Sequence, residues 1–149
     1  DAPWNAALAA RLNARFPTDG ALFAKLSACC DGGIDSGWMD LQGVEARKGA
    51  RVIEPCDDSR GMSIDVVQLI DFTGPHHRHP HGEVCAVMVE QADGRFDGHP
   101  QGWAVYPPGS AHWPAGSGGR VRILFFLPDG AIDYTEAAAS LASGAGGTA

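Results

Sequence analysis

The sequence predicts a mostly β domain, a small antiparallel barrel with two N-terminal helices packed outside it. Three observations carry this. Apolar residues recur at helical spacing in the first third of the chain, and near Trp38 that spacing gives way to short strand-like runs. The runs follow one another at regular intervals between Gly, Pro and Asp breaks, as in sandwiches and barrels. The chain has 20 glycines in 149 residues and only 19% charged residues, which favours turns over long helices. No helical pattern lies between the strands after residue 40, so a βαβ sheet is excluded. The expected division is a helical segment over 1–36, a barrel over 37–135 and a flexible tail over 136–149.

Residues 4 to 16 read as a helix. Alanine is the best helix former, Leu8, Leu12 and Phe16 share one stripe, and Pro17 stops it. Asp19 reads as the N-cap of a second helix with Leu22, Phe23, Leu26 and Cys30 on one side, ended by Gly32-Gly33. Val44 to Ile53 reads as a hairpin turning at Lys48-Gly49, and Ser63 to Phe72 as a strong strand. His77 to His79 lies on the next strand, and Val84 to Glu90 on a central one. Asp93-Gly94 signals a turn. Trp103 to Tyr106 is a strand that ends at Pro107-Pro108-Gly109, and Gly116 to Gly119 is a loop. Val121 to Leu127 is a long, mostly apolar strand suited to a buried position, and Ile132 to Tyr134 adds a short last one. The Ala-, Ser- and Gly-rich tail buries too little to order itself.

The net charge is -7 and no block of Lys or Arg appears, so a nucleic-acid footprint is absent. No apolar run approaches the ~20 residues that span a bilayer. Cys29, Cys30, Cys56 and Cys85 show neither a C-x2-C pair nor a spaced framework. They read as reduced thiols in a cytoplasmic protein. The chain opens at Asp1 without a charged region followed by an apolar core, which directs the expectation away from secretion.

Chemistry concentrates between Gly74 and His112. Of the 6 histidines, His76, His77, His79 and His81 lie in one run, His112 closes a second, and His99 stands just before that second run. The pattern is His-x-His-x3-Glu over 77–83, then Gly-x4-Pro-x-Gly-x2-His over 102–112. On a strand, His77 and His79 project to one face and Arg78 to the other. Three imidazoles and a carboxylate make a first-row transition-metal site with room for water or substrate. The spacing resembles the two motifs of the cupin superfamily, antiparallel jelly-roll barrels with such a site in the lumen. That resemblance assigns metal-ligand roles to His77, His79, Glu83 and His112. His76, His81 and His99 are left over as solvated or supporting residues.

A narrower resemblance spans the chain from the first helix to residue 134. Its marks are Gly-Trp-Met at 37–39, Arg-Val-Ile-x-Pro at 51–55, Ser-Ile-Asp-Val-Val at 63–67 and Gly-Pro-His-His-Arg-His-Pro-x-Gly-Glu at 74–83. Arg-Phe-Asp-Gly at 95–98, Gly-Trp-x-Val-Tyr-Pro-Pro-Gly-Ser-Ala-His at 102–112 and Leu-Pro-x-Gly-Ala-Ile at 127–132 complete it. Together they are similar to the 4-hydroxylaminobenzoate lyase family of nitroarene degradation. The resemblance implies conversion of 4-hydroxylaminobenzoate to 3,4-dihydroxybenzoate with release of ammonia. His81 and Trp113 look like departures from the family pattern.

Glu83, His77, His79 and His112 are therefore the candidate catalytic residues, holding a divalent transition metal or acting directly as acid and base. No organic cofactor is expected, because N–O cleavage itself supplies the oxidising equivalents. Trp103, Tyr106 and Trp113 flank the second motif and are the expected flat wall of a substrate pocket. Arg51, Arg60, Arg78 and Arg122 are each able to clamp a carboxylate, and Arg51 is the choice because strand alternation is able to turn it inward. The expected partners are a small aromatic substrate and a second copy of the chain in a homodimer, with no nucleic acid and no membrane. Two other readings stand beside the lyase: a metal-dependent cupin dioxygenase or isomerase on another small molecule, and a non-catalytic ligand-binding cupin.

Overall fold

The computed structural model describes residues 5–91 and 93–136, so the tail expected over 136–149 lies outside the described residues apart from Glu136. Two helices come first, α1 (Ala6–Arg15) and α2 (Ala21–Asp35). Eleven strands follow: β1 (Gln42–Val44), β2 (Arg47–Ile53), β3 (Met62–Ile70), β4 (His77–His79), β5 (Glu83–Val89), β6 (Arg95–Phe96), β7 (Gly102–Tyr106), β8 (Ser110–His112), β9 (Gly116–Ser117), β10 (Arg120–Pro128) and β11 (Asp133–Tyr134). They form a six-stranded sheet in the order β1-β2-β3-β10-β5-β7, a three-stranded sheet β11-β4-β8 and the pair β6-β9. Every strand pairing is antiparallel. The class is the expected one, mostly β with two helices, with the strands divided among three sheets.

Strand alternation builds the interior. Leu69 of β3, Cys85 and Val87 of β5, and Val121, Ile123, Phe125 and Leu127 of β10 turn to one side and pack with Phe96 and Ala104. Val66, Ala86, Met88 and Leu124 turn to the other side and pack under Phe23 and Cys30 of α2 and Met39. Both faces of β10 are covered, which is why Val121–Leu127 reads as a nearly unbroken apolar run. Arg122 is the polar exception on its outer face. Its guanidinium meets Asp31 of α2 at 2.7 Å and Glu90 at 2.5 Å, so it ties helix to sheet and is not offered to a ligand.

Four local expectations are corrected. The helix α2 runs past Gly32-Gly33 to Asp35, because Gly33 packs under Met39: a Cβ there would lie 2.7 Å from Met39 Cγ. Its N-cap is Gly20 and not Asp19, whereas α1 is capped by the Asn5 side chain. The β1–β2 turn falls at Glu45-Ala46, leaving Lys48 and Gly49 inside the ladder opposite Gln68 and Val67. The loop expected at 116–119 begins as β9, which pairs with β6.

An exposed sheet edge invites unwanted pairing unless something covers it. Here α1 covers β7. Asn13 Oδ1 accepts from the Trp103 N–H at 3.0 Å, and Asn13 Nδ2 donates to the Trp103 carbonyl at 3.1 Å. Gly102, at φ 140, leaves the space, since a Cβ there would stand 2.6 Å from Asn13 Oδ1. Among the described residues no helix is long and apolar enough to cross a membrane. Asn13→Ala removes both edge bonds and is expected to lower stability by about 1–3 kcal/mol in urea unfolding. An unchanged unfolding midpoint would show that this contact does not hold the helix.

Candidate metal centre and cavity

His77 and His79 stand on β4 with Arg78 exposed between them, as alternation requires. Pairing of β4 with β8 sets His112 directly opposite His77. The Pro107-Pro108-Gly109 turn positions β8: Gly109 takes φ 80 and donates its N–H to the His79 carbonyl at 2.8 Å. The three rings meet through their Nε2 atoms, 3.0 Å between His79 and His112 and 3.1 Å between His112 and His77. Among the described residues this is the one group of three or more His, Cys, Asp or Glu placed to share an ion.

The other ring nitrogens fix the tautomers. His77 Nδ1 lies 3.1 Å from the Pro75 carbonyl, which only accepts, so Nδ1 carries the proton. His112 Nδ1 lies 2.5 Å from Asp97 Oδ2, so it too donates. With Nδ1 protonated on both neutral rings, the two Nε2 atoms present lone pairs toward one shared point, as ligands of one ion do. Burial first, and then the neighbouring His112 ring, lower His77 to about 4. Burial and the two other rings lower His79 to about 3. Both rings are thus neutral near pH 7, the form in which imidazole ligates a metal. Nitrogens about 3 Å apart also match two ligands of one ion at roughly 2.1 Å each. The donor set fits a first-row divalent ion.

Glu83 is fully buried at the start of β5. Its Oε2 lies 3.5 Å from His79 Nδ1, which has no hydrogen-bond partner, and its Oε1 accepts from the Cys85 thiol at 3.0 Å. The carboxylate therefore stands beside His79, on the side away from the shared Nε2 point, and is not grouped with the three histidines. Burial pushes its carboxyl up to about 8, against the opposing hydrogen bond from Cys85.

Asp97 has no role in the sequence reading, although it lies inside the Arg-Phe-Asp-Gly run. It takes φ 49 in the turn after β6 and accepts three hydrogen bonds. These come from His112 Nδ1, from the Tyr106 hydroxyl at 2.6 Å and from the Ala115 N–H at 2.7 Å. Burial would raise its carboxyl, but these bonds outweigh burial and hold it below the usual range. A carboxylate behind a ligating histidine fixes the ring and raises its basicity.

One cavity of about 230 Å³ opens onto the cluster. His77 and Glu83 line it at one side, and Arg47, Gly49, Arg51 and Asp65 of β2 and β3 at another. Val67, Leu69, Phe125, Leu127, Ile132 and Tyr134 supply its apolar surface. The aromatic wall expected from the second motif lies elsewhere. Trp103 points outward against Phe23 and Phe126 and donates Nε1–H to the Phe16 carbonyl, because alternation on β7 turns it toward the helices. Tyr106 packs at a tilt against His112, with ring centroids 4.5 Å apart, and supports Asp97 from behind the cluster. Trp113, 40% exposed, packs on His76 outside the cavity. Arg51 reaches the cavity with its fork held by Asp65, Nε to Oδ1 at 2.9 Å and Nη2 to Oδ2 at 3.3 Å. Of the leftover histidines, His76 bonds Thr135, while His81 and His99 are exposed.

With this geometry in place, comparison with known proteins is decisive at the level of family. The sequence pattern of PnbB, 4-hydroxylaminobenzoate lyase, matches residues 1–134. The chain belongs to the 4-hydroxylaminobenzoate lyase family. A 4-hydroxylaminobenzoate lyase of Nocardioides sp. (strain LMS-CY) is 28% identical over 134 residues, covering 83% of this chain and 78% of that protein. Among solved structures, the polyketide cyclase RemF of Streptomyces resistomycificus is similar with a TM-score of 0.46 and 16% identity, covering 68% of this chain and 81% of that one. An RmlC-like cupin protein of Ralstonia eutropha JMP134 has a TM-score of 0.42 and 15% identity, covering 56% of this chain and 57% of that one. Both structural likenesses are loose.

His112→Ala is expected to abolish metal retention in elemental analysis after dialysis. Asp97→Asn, which keeps the shape but weakens the grip on His112, is expected to lower metal affinity about 10- to 100-fold in a chelator competition. Full retention by both variants would remove the cluster from consideration as a metal centre.

Proposed function

We propose that the protein converts 4-hydroxylaminobenzoate and one water to 3,4-dihydroxybenzoate and ammonia. The observation that carries this reading is the small cavity that joins the histidine cluster to an arginine-bearing wall. Its volume, about 230 Å³, lies below the roughly 300–1,000 Å³ of drug-sized sites and suits one aromatic ring. The family of the chain supports the same reaction.

The ring lies against Val67, Leu69, Phe125 and Leu127, with its hydroxylamine toward His77 and Glu83 and its carboxylate toward β2. His77, His79 and His112 would hold a divalent transition metal, which when bound would supply Lewis acidity beside the cavity. Of the two carboxyls on the cavity, Asp65 is held by Arg51, and Glu83, on the histidine side, is placed to give a proton to the departing hydroxyl, which leaves as water. The electron pair of the N–O bond departs with that oxygen, so the aryl–nitrogen system is left two electrons poorer. Water then adds at the ring carbon next to C–N and loses a proton. The resulting imine is hydrolysed by a second water before the ring regains aromaticity, and ammonia leaves. One water is released and two are taken up, which gives the net stoichiometry without an external oxidant. Asp97 and Tyr106 hold His112 in place throughout.

Anaerobic incubation of the protein with 4-hydroxylaminobenzoate is expected to release ammonia and 3,4-dihydroxybenzoate in equal amounts. Glu83→Gln, which keeps size but not the proton, is expected to lower kcat about 10²- to 10⁴-fold. Turnover that requires dissolved oxygen would favour the dioxygenase reading instead, and accumulation of an aminophenol would show that the imine is not intercepted.

A further inference from the structure

On β2, Arg47, Gly49 and Arg51 share the face that lines the cavity. Their cross-strand partners differ. Arg51 stands opposite Asp65, and Arg47 stands opposite Leu69. Arg51 commits its fork to both oxygens of Asp65, and Nη2 also donates to the Gly130 carbonyl at 3.0 Å. Glu54 adds a second carboxylate 3.7 Å from its Nη1. Arg47, half-buried, makes no ion pair or side-chain hydrogen bond among the described residues. The acid nearest it in sequence, Glu45, is taken by Lys48 at 3.2 Å and by Arg120 at 3.4 Å.

On the wall of β2 and β3 the Arg51 guanidinium is thus paired with a carboxylate, while that of Arg47 has no anionic partner among the described residues. A cation held over apolar surface without a partner is costly unless an anion completes it. Between the two arginines Gly49 offers no side chain. A Cβ there would press on Val67, 3.1 Å from its Cγ2. That leaves a flat floor for a ring beside Arg47.

We propose that Arg47 is the anchor for the substrate's carboxylate, and that the site selects aryl monocarboxylates over neutral arenes. This assignment rests on the reading of the cavity as the substrate site. Arg51 has a different part: it braces β2 against β3 and the Gly130 turn at the cavity rim. A planar guanidinium grips a carboxylate through two parallel N–H···O bonds, which lysine does not reproduce.

The probe is 4-aminobenzoate, which has the outline and carboxylate of the proposed substrate but no N–O bond, with aniline as its neutral counterpart. Affinities are measured by calorimetry on metal-loaded wild type, Arg47→Gln and Arg47→Lys, each checked for an unchanged thermal midpoint. The wild type is expected to prefer 4-aminobenzoate. Arg47→Gln is expected to bind it about 10- to 100-fold more weakly. Arg47→Lys should recover part of that loss, and aniline binding should hardly change. In turnover, the same substitution should raise KM for 4-hydroxylaminobenzoate and leave phenylhydroxylamine alone. Equal losses on acid and amine, no loss on either, or no preference in the wild type would overturn the proposal. Arg47-dependent binding of 4-aminobenzoate by a wild type that turns over no hydroxylaminoarene would defeat the lyase reading and leave the anion site standing.

Discussion

The site depends on two hydrogen bonds made on the far side of its rings. The Pro75 carbonyl and the Asp97 carboxylate each take a proton from an Nδ1, and so force the Nε2 atoms of His77 and His112 to face one another unprotonated at 3.1 Å. Two lone pairs at that distance repel. The fold tolerates the arrangement because β4 and β8 are locked in register, and because the Asp97 turn is pinned to Ala115 and Tyr106. A cation at the shared point would accept both lone pairs, and burial disfavours a proton on His77. Preorganisation of the rings is thus supplied by backbone and carboxylate and not by the ion itself.

The same strand alternation that fills the core also aims the cavity. On β5 the residues Glu83, Cys85 and Val87 turn inward in succession, so one strand delivers a carboxyl to the cavity and two side chains to the core. On β3, Asp65 and Val67 line the cavity and Leu69 reaches both. The helices pack on β7 and on the outer core. They cover the opposite face, where Arg122 between Asp31 and Glu90 fastens α2 to the sheet. The division leaves the inner face to chemistry and gives the outer face to docking of α2.

Runs of apolar and β-branched residues made β3, β5 and β10 legible, because β5 and β10 are buried on both faces. The paired motifs likewise foretold that His77, His79 and His112 converge. What escaped was long-range. Trp103 and Tyr106 are adjacent in pattern but turn to opposite faces of β7, one under α1 and α2 and one behind His112, and residue type alone does not say which is which. Gly49 looked like a turn residue because glycine marks turns, whereas here it clears space opposite Val67. Asp97 carried no spacing signal, since its three partners come from β7, β8 and the strand-free segment after it. Alternation allowed Arg51 to turn inward, and it lines the cavity while exposed at the rim, but Asp65, opposite it, was not legible as its partner without the β2–β3 register.

The central claim is that a bare Nε2 on His77 and on His112 awaits a cation, and ring-nitrogen NMR tests it most directly. Long-range ¹H–¹⁵N correlation on the metal-free protein near neutral pH, followed by zinc titration, reads the tautomer of each ring. The expected result is a proton on Nδ1 of His77 and His112, with their Nε2 resonances shifting on addition of one equivalent of zinc. A proton on Nε2 of either ring, or Nε2 resonances that ignore zinc, would contradict the account.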